Sequence, residues 1–189
     1  MDQSIDDRKR NIKMMHAAST EPAAAQVRVR PFCPEDEPAI LDILNQSIVE
    51  RKVTAHLTPA TMAARRGWFA MHSARRTPLF VAESEGEILG WIAVTSYRGG
   101  REGFLKTCEL SYYLDRHCRH QGVGSQLMAH ALEACRDLGY RHALLIIFEH
   151  NLPSQGLARK FGFSLWGRFP NIVDIDGQIQ DCLQMGRDL

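Results

Sequence analysis

The stretch Arg119-His120-Gln121-Gly122-Val123-Gly124-Ser125-Gln126-Leu127 decides the fold of this 189-residue chain. Upstream lies Thr107–Leu114, a run of aromatic and hydroxyl residues that is typical of a β-strand. Downstream, apolar residues recur at helical spacing until Gly139, a residue type that commonly follows the end of a helix. This order of strand, basic glycine loop and helix favours phosphate binding. Glycine lets the backbone approach an anion, and the free N–H groups at a helix start attract it.

Two common phosphate-binding glycine motifs can be compared with this stretch of sequence, and neither matches. A dinucleotide-binding fingerprint requires a third glycine three residues after Gly124, where the chain has Leu127. A nucleotide-binding P-loop requires Gly-Lys-Ser or Gly-Lys-Thr, and the chain contains neither string. The remaining pattern, Arg119-x-x-Gly122-x-Gly124, is compatible with a pyrophosphate loop or with an ordinary basic turn that caps a helix.

The composition indicates one globular domain with no special surface. The 23 basic and 22 acidic residues give a net charge of +1, so neither a nucleic-acid-binding surface nor a membrane anchor is expected. The five cysteines are scattered and include no Cys-x-x-Cys pair, which indicates reduced thiols and a cytoplasmic protein. No apolar run reaches the ~20 residues of a membrane span. The cluster His117-Cys118-Arg119-His120 lacks the spacing of a zinc site, so no metal is expected.

Hydrophobic periodicity predicts an α/β (α+β) domain at residues 27–189, preceded by a disordered extension at residues 1–26. Besides the strand and helix around the glycine loop, three helices are expected. They begin with Asp36 as a cap, after Thr58-Pro59, and at Asn151. The remaining predicted strands are residues 27–30, 79–83, 88–94, 143–148, 164–169 and 180–186.

Together these motifs resemble those of the GCN5-related N-acetyltransferase (GNAT) family. The loop at residues 119–124 is similar to the acetyl-CoA pyrophosphate loop of that family, and Asn151-x-x-Ser154 with Phe161-Gly162-Phe163 is similar to its second CoA-binding edge. The strand Thr107-Cys108-Glu109-Leu110-Ser111-Tyr112-Tyr113 looks like the Thr-x-Glu-x-Ser/Thr-x-Tyr strand of the phosphinothricin N-acetyltransferase subgroup. The resemblance covers residues 27–189. It implies a mixed central sheet of about six to seven strands, flanked by helices on both faces.

The resemblance also implies roles for particular residues. Glu109 matches the general base, and an acidic residue in a mostly uncharged strand is costly to bury unless it functions or is paired. The alternative is an ion pair with Lys106 or Arg101. Arg101 and Phe104 are implied in substrate binding. Acetyl-CoA binding is implied for Tyr112, Tyr113, Leu114, Arg119, His120, Gln121, Gly122, Val123, Gly124, Ser125 and Asn151. For Asn151 the alternative is a helix cap.

The chain departs from the family pattern at three positions. Many relatives have a Tyr or His that can protonate the leaving thiolate where this chain has Ala158. The subgroup often has His-Asp where this chain has Gln180-Asp181, and Tyr where it has Phe104. Loss of the acid is tolerable because a CoA-type thiol has a pKa near that of Cys, ~8.5, so water or one of the two tyrosines at 112 and 113 suffices.

The resemblance predicts direct transfer of an acetyl group from acetyl-CoA to the primary amine of a small amino-acid-like substrate, such as phosphinothricin or methionine sulfoximine. Strand N–H groups near residues 110–112, freed by a β-bulge, are expected to stabilise the oxyanion. Two alternatives stay open: an acetyltransferase of protein N-termini, and a catalytically silent acyl-CoA-binding regulatory domain. The resemblance further predicts a homodimer, with the last strands as its interface.

Overall fold

The computed structural model describes residues 26–72 and 76–189. The predicted N-terminal extension, apart from its last residue, lies outside this part of the chain. The described strands are β1 (Arg28–Pro31), β2 (Leu79–Ser84), β3 (Glu87–Ser96), β4 (Thr107–Leu114), β5 (His142–Phe148), β6 (Ser164–Ile175) and β7 (Gln178–Asp188). The described α-helices are α1 (Glu37–Glu50), α2 (Met62–His72), α3 (Val123–Asp137) and α4 (Leu152–Lys160). None of these helices is long and apolar enough to cross a membrane.

The seven strands form one mixed sheet in the order β1-β2-β3-β4-β5-β7-β6. Strands β4 and β5 are parallel, and every other neighbouring pair is antiparallel. The parallel pair requires a crossover, which α3 supplies between the two strands. The predicted fold class is therefore confirmed. The closing hairpin is longer than its sequence pattern indicated, since β6 continues to Ile175 before the Asp176-Gly177 turn.

Each face of the sheet carries its own hydrophobic core. On one face, α3 buries the apolar stripe that its sequence predicted, including Leu127, Met128 and Leu132. On the other face, α1 and α2 pack against Val81, Trp91 and Ala93. The indole of Trp91 is buried there, and its Nε1 donates a hydrogen bond to the Ile40 carbonyl at 3.0 Å, so its one polar atom keeps a partner.

The start of α1 differs from the prediction. Asp36 occupies the capping position, but its side chain makes no capping hydrogen bond to the helix. Instead its Oδ2 atom lies 2.6 Å from Nη1 of Arg30 and accepts the Cys33 N–H at 2.9 Å. The carboxylate is used in this way because Arg30, on β1, presents a full positive charge that a backbone N–H cannot match.

The strands β4 and β5 separate soon after they meet. Their paired register covers only residues 107–109 of β4 and 142–144 of β5, although β4 runs to Leu114 and β5 to Phe148. The carbonyl of Lys106, the residue before β4, accepts a hydrogen bond from the His142 N–H of β5. Main-chain groups of alternate strand residues point to the same edge, so those of Leu110 and Tyr112 also point towards β5 and face the gap.

The β-bulge predicted in β4 is wrong. The register of β3 on β4 is uninterrupted from the Gly90–Leu114 pair to the Ser96–Cys108 pair. Main-chain groups of β4 are freed on the opposite edge instead, because β5 has diverged from it.

Candidate active site

A cavity of about 470 Å³ fills the gap between β4 and β5. Its walls come from the ends of these strands, from the glycine loop, from the start of α4 and from the end of α1. The predicted cofactor residues on its surface are Tyr112, Tyr113, Leu114, Arg119, His120, Gly122, Gly124, Ser125 and Asn151. The sheet topology thus brings together residues from both family motifs, as a common binding site requires.

The N-terminus of α3 forms the basic end of this cavity. Gly122 has a φ of 84°, a left-handed conformation that places it as the turn residue immediately before the helix. The N–H groups of Ser125 and Gln126 bond to the Gly122 carbonyl. No described residue accepts from the N–H groups of Val123 or Gly124. These two donors and the helix dipole favour an anion at this position.

Two cationic side chains flank this helix start, and only one of them was predicted. The Arg119 guanidinium is ion-paired with Glu50 at the end of α1, with Nη1 and Oε2 2.8 Å apart. Lys160, at the end of α4, donates from Nζ to Ser125 Oγ at 2.9 Å. Gln121 turns back on its own loop and donates from Nε2 to the His117 carbonyl at 2.8 Å.

Asn151 combines the two roles that its sequence left open. Its Oδ1 atom accepts the Ser154 N–H at 3.2 Å, which caps α4. Both residues also border the cavity, on the side opposite β4. The cap therefore holds Asn151 in a fixed orientation next to any molecule that occupies the gap.

Glu109 precedes Leu110, the first β4 residue on the cavity wall, and its side chain lies on the sheet face that is covered by α1 and α2. No described residue forms an ion pair or a hydrogen bond with its carboxylate, so the alternative of a structural pair with Lys106 or Arg101 is not realised there. Burial raises the pKa of Glu109. Glu109 pairs with Thr95 across the sheet, so Tyr97, two residues after Thr95, and Tyr113, four residues after Glu109, lie along the same sheet face. An unpaired, half-buried carboxylate with a raised pKa is well suited to accept a proton.

Tyr112 points to the other face and presents a hydroxyl at the cavity wall. This hydroxyl is buried and lacks a hydrogen-bond partner of normal geometry among the described residues. Burial raises the pKa of Tyr112, an effect that the neighbouring Ser154 partly offsets, so the hydroxyl stays protonated. Ser154 and Ala158 are four residues apart in α4 and share one helix face. Tyr112 thus supplies an O–H group near the wall where the family acid is missing.

Arg101 and Phe104 lie on the loop between β3 and β4. The Phe104 ring packs edge-on against Tyr97, with centroids 5.4 Å apart, which connects it to the surroundings of Glu109. Arg101 is exposed and borders a separate open hollow with Arg98 and Gly99. The structure thus groups Phe104 with the predicted base more closely than it does Arg101.

Several residues of the site carried no sequence signal. Glu50 and Lys52 lie on the cavity wall, and Lys160 reaches the helix start from another element. The Glu50–Arg119 contact joins residues 69 positions apart, so no local pattern announces it. Within residues 26–72 and 76–189, no group of three His, Cys, Asp or Glu side chains is arranged to hold a metal ion.

Comparison with known proteins agrees with this geometry. The profile of the acetyltransferase (GNAT) family matches residues 40–163. YwnH of Bacillus subtilis, named as a candidate phosphinothricin acetyltransferase, is 43% identical over 82% of this chain and 94% of its own. An L-methionine sulfoximine/L-methionine sulfone acetyltransferase of Pseudomonas paraeruginosa is 33% identical over 82% of this chain and 90% of its own.

The fold is shared with a solved enzyme. A phosphinothricin acetyltransferase from Sinorhizobium meliloti, crystallised with acetyl-CoA, superposes with a TM-score of 0.82 at 26% identity, over 86% of this chain and 88% of its own. The matching profile spans the strand with Glu109, the glycine loop and the second edge of the cavity. This chain therefore belongs to the acetyltransferase (GNAT) family.

Proposed function

We propose that this protein transfers the acetyl group of acetyl-CoA to the primary amine of a small amino-acid-like molecule, of the phosphinothricin or methionine sulfoximine type. One observation carries the proposal: a single cavity extends from the start of α3 into the β4–β5 gap as far as Leu110, the residue next to the unpaired Glu109. The activities named for the relatives support the same class of substrate.

The cavity matches the chemical parts of acetyl-CoA. The free N–H groups of Val123 and Gly124, with Arg119 and Lys160, suit its phosphates. The unpaired main-chain groups of β4 suit the amides of its pantetheine arm, as an added strand would. Gly122 has no atom within 4 Å of the position that a Cβ would take, so the loop is open for a ligand to approach.

In the proposed reaction, Glu109 accepts a proton from the substrate ammonium, directly or through one water. The neutral amine then attacks the thioester carbonyl carbon. Main-chain N–H groups of β4 that face the gap stabilise the oxyanion, an effect worth ~3 kcal/mol per donor elsewhere. The carbon–sulfur bond breaks, the nitrogen of the new amide releases its second proton to water, and the thiolate takes a proton from water or from the Tyr112 hydroxyl, which solvent reprotonates. Loss of Glu109 as a base is expected to slow turnover about 100-fold or more.

The first test is release of free CoA thiol by the Glu109→Gln variant with phosphinothricin, methionine sulfoximine, methionine sulfone and short peptides. We expect loss of turnover with an unchanged Kd for acetyl-CoA. In the parent, kcat/KM should fall as the pH drops through the raised pKa of Glu109. The variant should lack this limb. Glu102→Gln removes the same charge from the neighbouring loop and should keep the parent rate.

Three other results would redirect the assignment. Full turnover by Glu109→Gln would place the base elsewhere. Turnover confined to peptides would favour an acetyltransferase of protein N-termini, and binding of acetyl-CoA without any turnover would favour a silent regulatory domain.

The Glu109→Gln variant should unfold at the same temperature as the parent or at a higher one. The folded chain holds the Glu109 proton more tightly than the unfolded chain does, so ionisation of Glu109 above its raised pKa lowers the stability of the parent.

Two broader expectations belong to the same proposal. We propose a homodimer that forms through β6, the edge strand that exposes several apolar side chains.

We also propose that the protein acts in the cytoplasm, where thiols stay reduced. The Sγ atoms of Cys108 and Cys135 lie 3.6 Å apart without a bond between them. Fractionation of cells that produce the protein tests the location.

A further inference from the structure

Arg65, an arginine that the sequence did not single out, lies on the sheet face that carries Glu109. Arg65 is on α2 and is half-buried. Its guanidinium lies over the Trp68 ring, 5.5 Å from the centroid, and its Nη2 atom is 3.0 Å from Nε2 of His56. These two contacts hold the planar group in one orientation, which favours recognition of a planar anion.

The charge of Arg65 has no counter-charge in the described structure. No Asp or Glu of residues 26–72 or 76–189 forms an ion pair with it. Its hydrogen-bonding neighbour His56 has a pKa lowered by burial and by the charge of Arg65, so that imidazole is neutral at pH 7. A half-buried guanidinium without a carboxylate is costly to keep, and a bound anion removes that cost.

A row of rings in edge-on and tilted contact extends from Arg65 towards the proposed base. Trp68 contacts Trp91, with ring centroids 5.5 Å apart, and Trp91 contacts Tyr113 at 4.8 Å. Tyr113 follows Glu109 by four residues in β4, an even spacing, so the two side chains share one face. The charges of Arg65 and Glu109 both act on the Tyr113 hydroxyl, so a cation and an anion lie on the sheet face that this ring occupies.

An amino acid presents the complementary pair, an ammonium and a carboxylate on one carbon atom. We infer that Arg65 binds the carboxylate of an amino-acid substrate whose amine lies at Glu109, and that it selects such substrates over plain amines. This inference rests on the proposed function, because it assigns the amine to Glu109. In this arrangement the substrate carboxylate binds Arg65 and not Arg101, which is the residue that the family resemblance implies.

The two arginines of the β3–β4 loop are the competing candidates. Arg98 and Arg101 are both exposed and border an open hollow. Water screens such charges more strongly than it screens a half-buried one. Arg98 is also engaged with Tyr97, whose hydroxyl accepts from its Nε at 3.3 Å. These positions suit contact with the distal end of a substrate side chain better than with the α-carboxylate.

The test compares two substrates that differ only in the carboxylate: methionine sulfone and its decarboxylated amine, 3-(methylsulfonyl)propylamine. Arg65→Gln should lower kcat/KM for the amino acid about 100-fold and leave that for the amine within about threefold, because only the amino acid loses a charged partner. Arg65→Lys should recover part of the loss. Arg98→Gln and Arg101→Gln serve as matched controls and should show no such selectivity.

The possible results separate two failures. Equal losses on both substrates with Arg65→Gln, or a selective loss with Arg98→Gln or Arg101→Gln instead, overturn the role of Arg65 and leave the proposed function standing. A parent enzyme that acetylates neither compound overturns the proposed function and this inference together. Circular dichroism of each variant confirms that a loss does not come from unfolding.

Discussion

At the scale of single residues, the pairing of Arg119 with Glu50 has a consequence for ligand binding. The guanidinium that the family motif assigns to phosphate binding already has a carboxylate partner, and both side chains are partly exposed, at 34% and 24%. A phosphate must therefore compete with Glu50 for the same donors. An ion pair at this exposure is worth ~1 kcal/mol at most, so the competition is weak enough for a ligand to win.

We predict that Glu50→Gln binds acetyl-CoA about three to five times more tightly than the parent does, because it removes a competing negative charge from the cavity wall. Isothermal titration calorimetry at two salt concentrations measures this change. Glu133→Gln, at an exposed position on α3, is the matched control and should not alter the Kd. Weaker binding by Glu50→Gln would show that Glu50 orients Arg119 rather than competes for it.

At the scale of elements, the junction between the glycine loop and α3 depends on backbone conformation more than on space. Gly122 has room for a side chain, since no atom lies within 4 Å of the position of a Cβ. Its left-handed φ is nevertheless strained for other residues. The loop directs the first N–H groups of α3 to the cavity only in this conformation, so the binding site and the helix start have the same requirement.

Gly122→Ala is expected to destabilise the fold by about 1 kcal/mol and to weaken acetyl-CoA binding, because the left-handed turn becomes strained. The control, Gly156→Ala, lies inside α4 with equally open space and should stabilise the fold by about 0.5–1 kcal/mol. Urea denaturation measures both effects. If Gly122→Ala were as stable as the parent, the turn would not need its glycine.

At the scale of the whole molecule, β6 is the exposed edge of the sheet. Its apolar side chains face solvent in the described structure, with Leu165 58% and Ile172 61% exposed, beside Trp166 and Phe169. An edge strand with unpaired main-chain groups and apolar side chains associates readily with another strand or surface. A second copy of this chain has the same strand available, which supports a twofold-symmetric dimer.

We expect a dimer in sedimentation velocity at micromolar concentration, and a monomer after Ile172→Glu. Burying a carboxylate in an apolar interface is costly, so the variant should not associate. Val49→Glu introduces the same group at another exposed apolar position, on α1, and should stay dimeric. A parent that sediments as a monomer at every concentration would contradict the dimer.

Local patterns in the sequence predicted the strands, the helices and the order in which the glycine loop joins them. Alternation marked β4, and helical spacing marked the buried face of α3, because each pattern reflects the geometry of a single element. The same local information indicated Glu109, an acidic residue in an otherwise uncharged strand. It misplaced the use of Asp36, since the competing partner Arg30 lies in a different element.

The sequence by itself determined the fold class and predicted the anion-binding loop and the base, because their signals lie within a few neighbouring residues. The tertiary structure alone decided that β4 separates from β5 without a bulge, that Glu50 contacts Arg119, and that Arg65 lies on the sheet face of Glu109. These features depend on contacts between residues that are distant in the chain. Their side chains meet only because the sheet order brings their elements together.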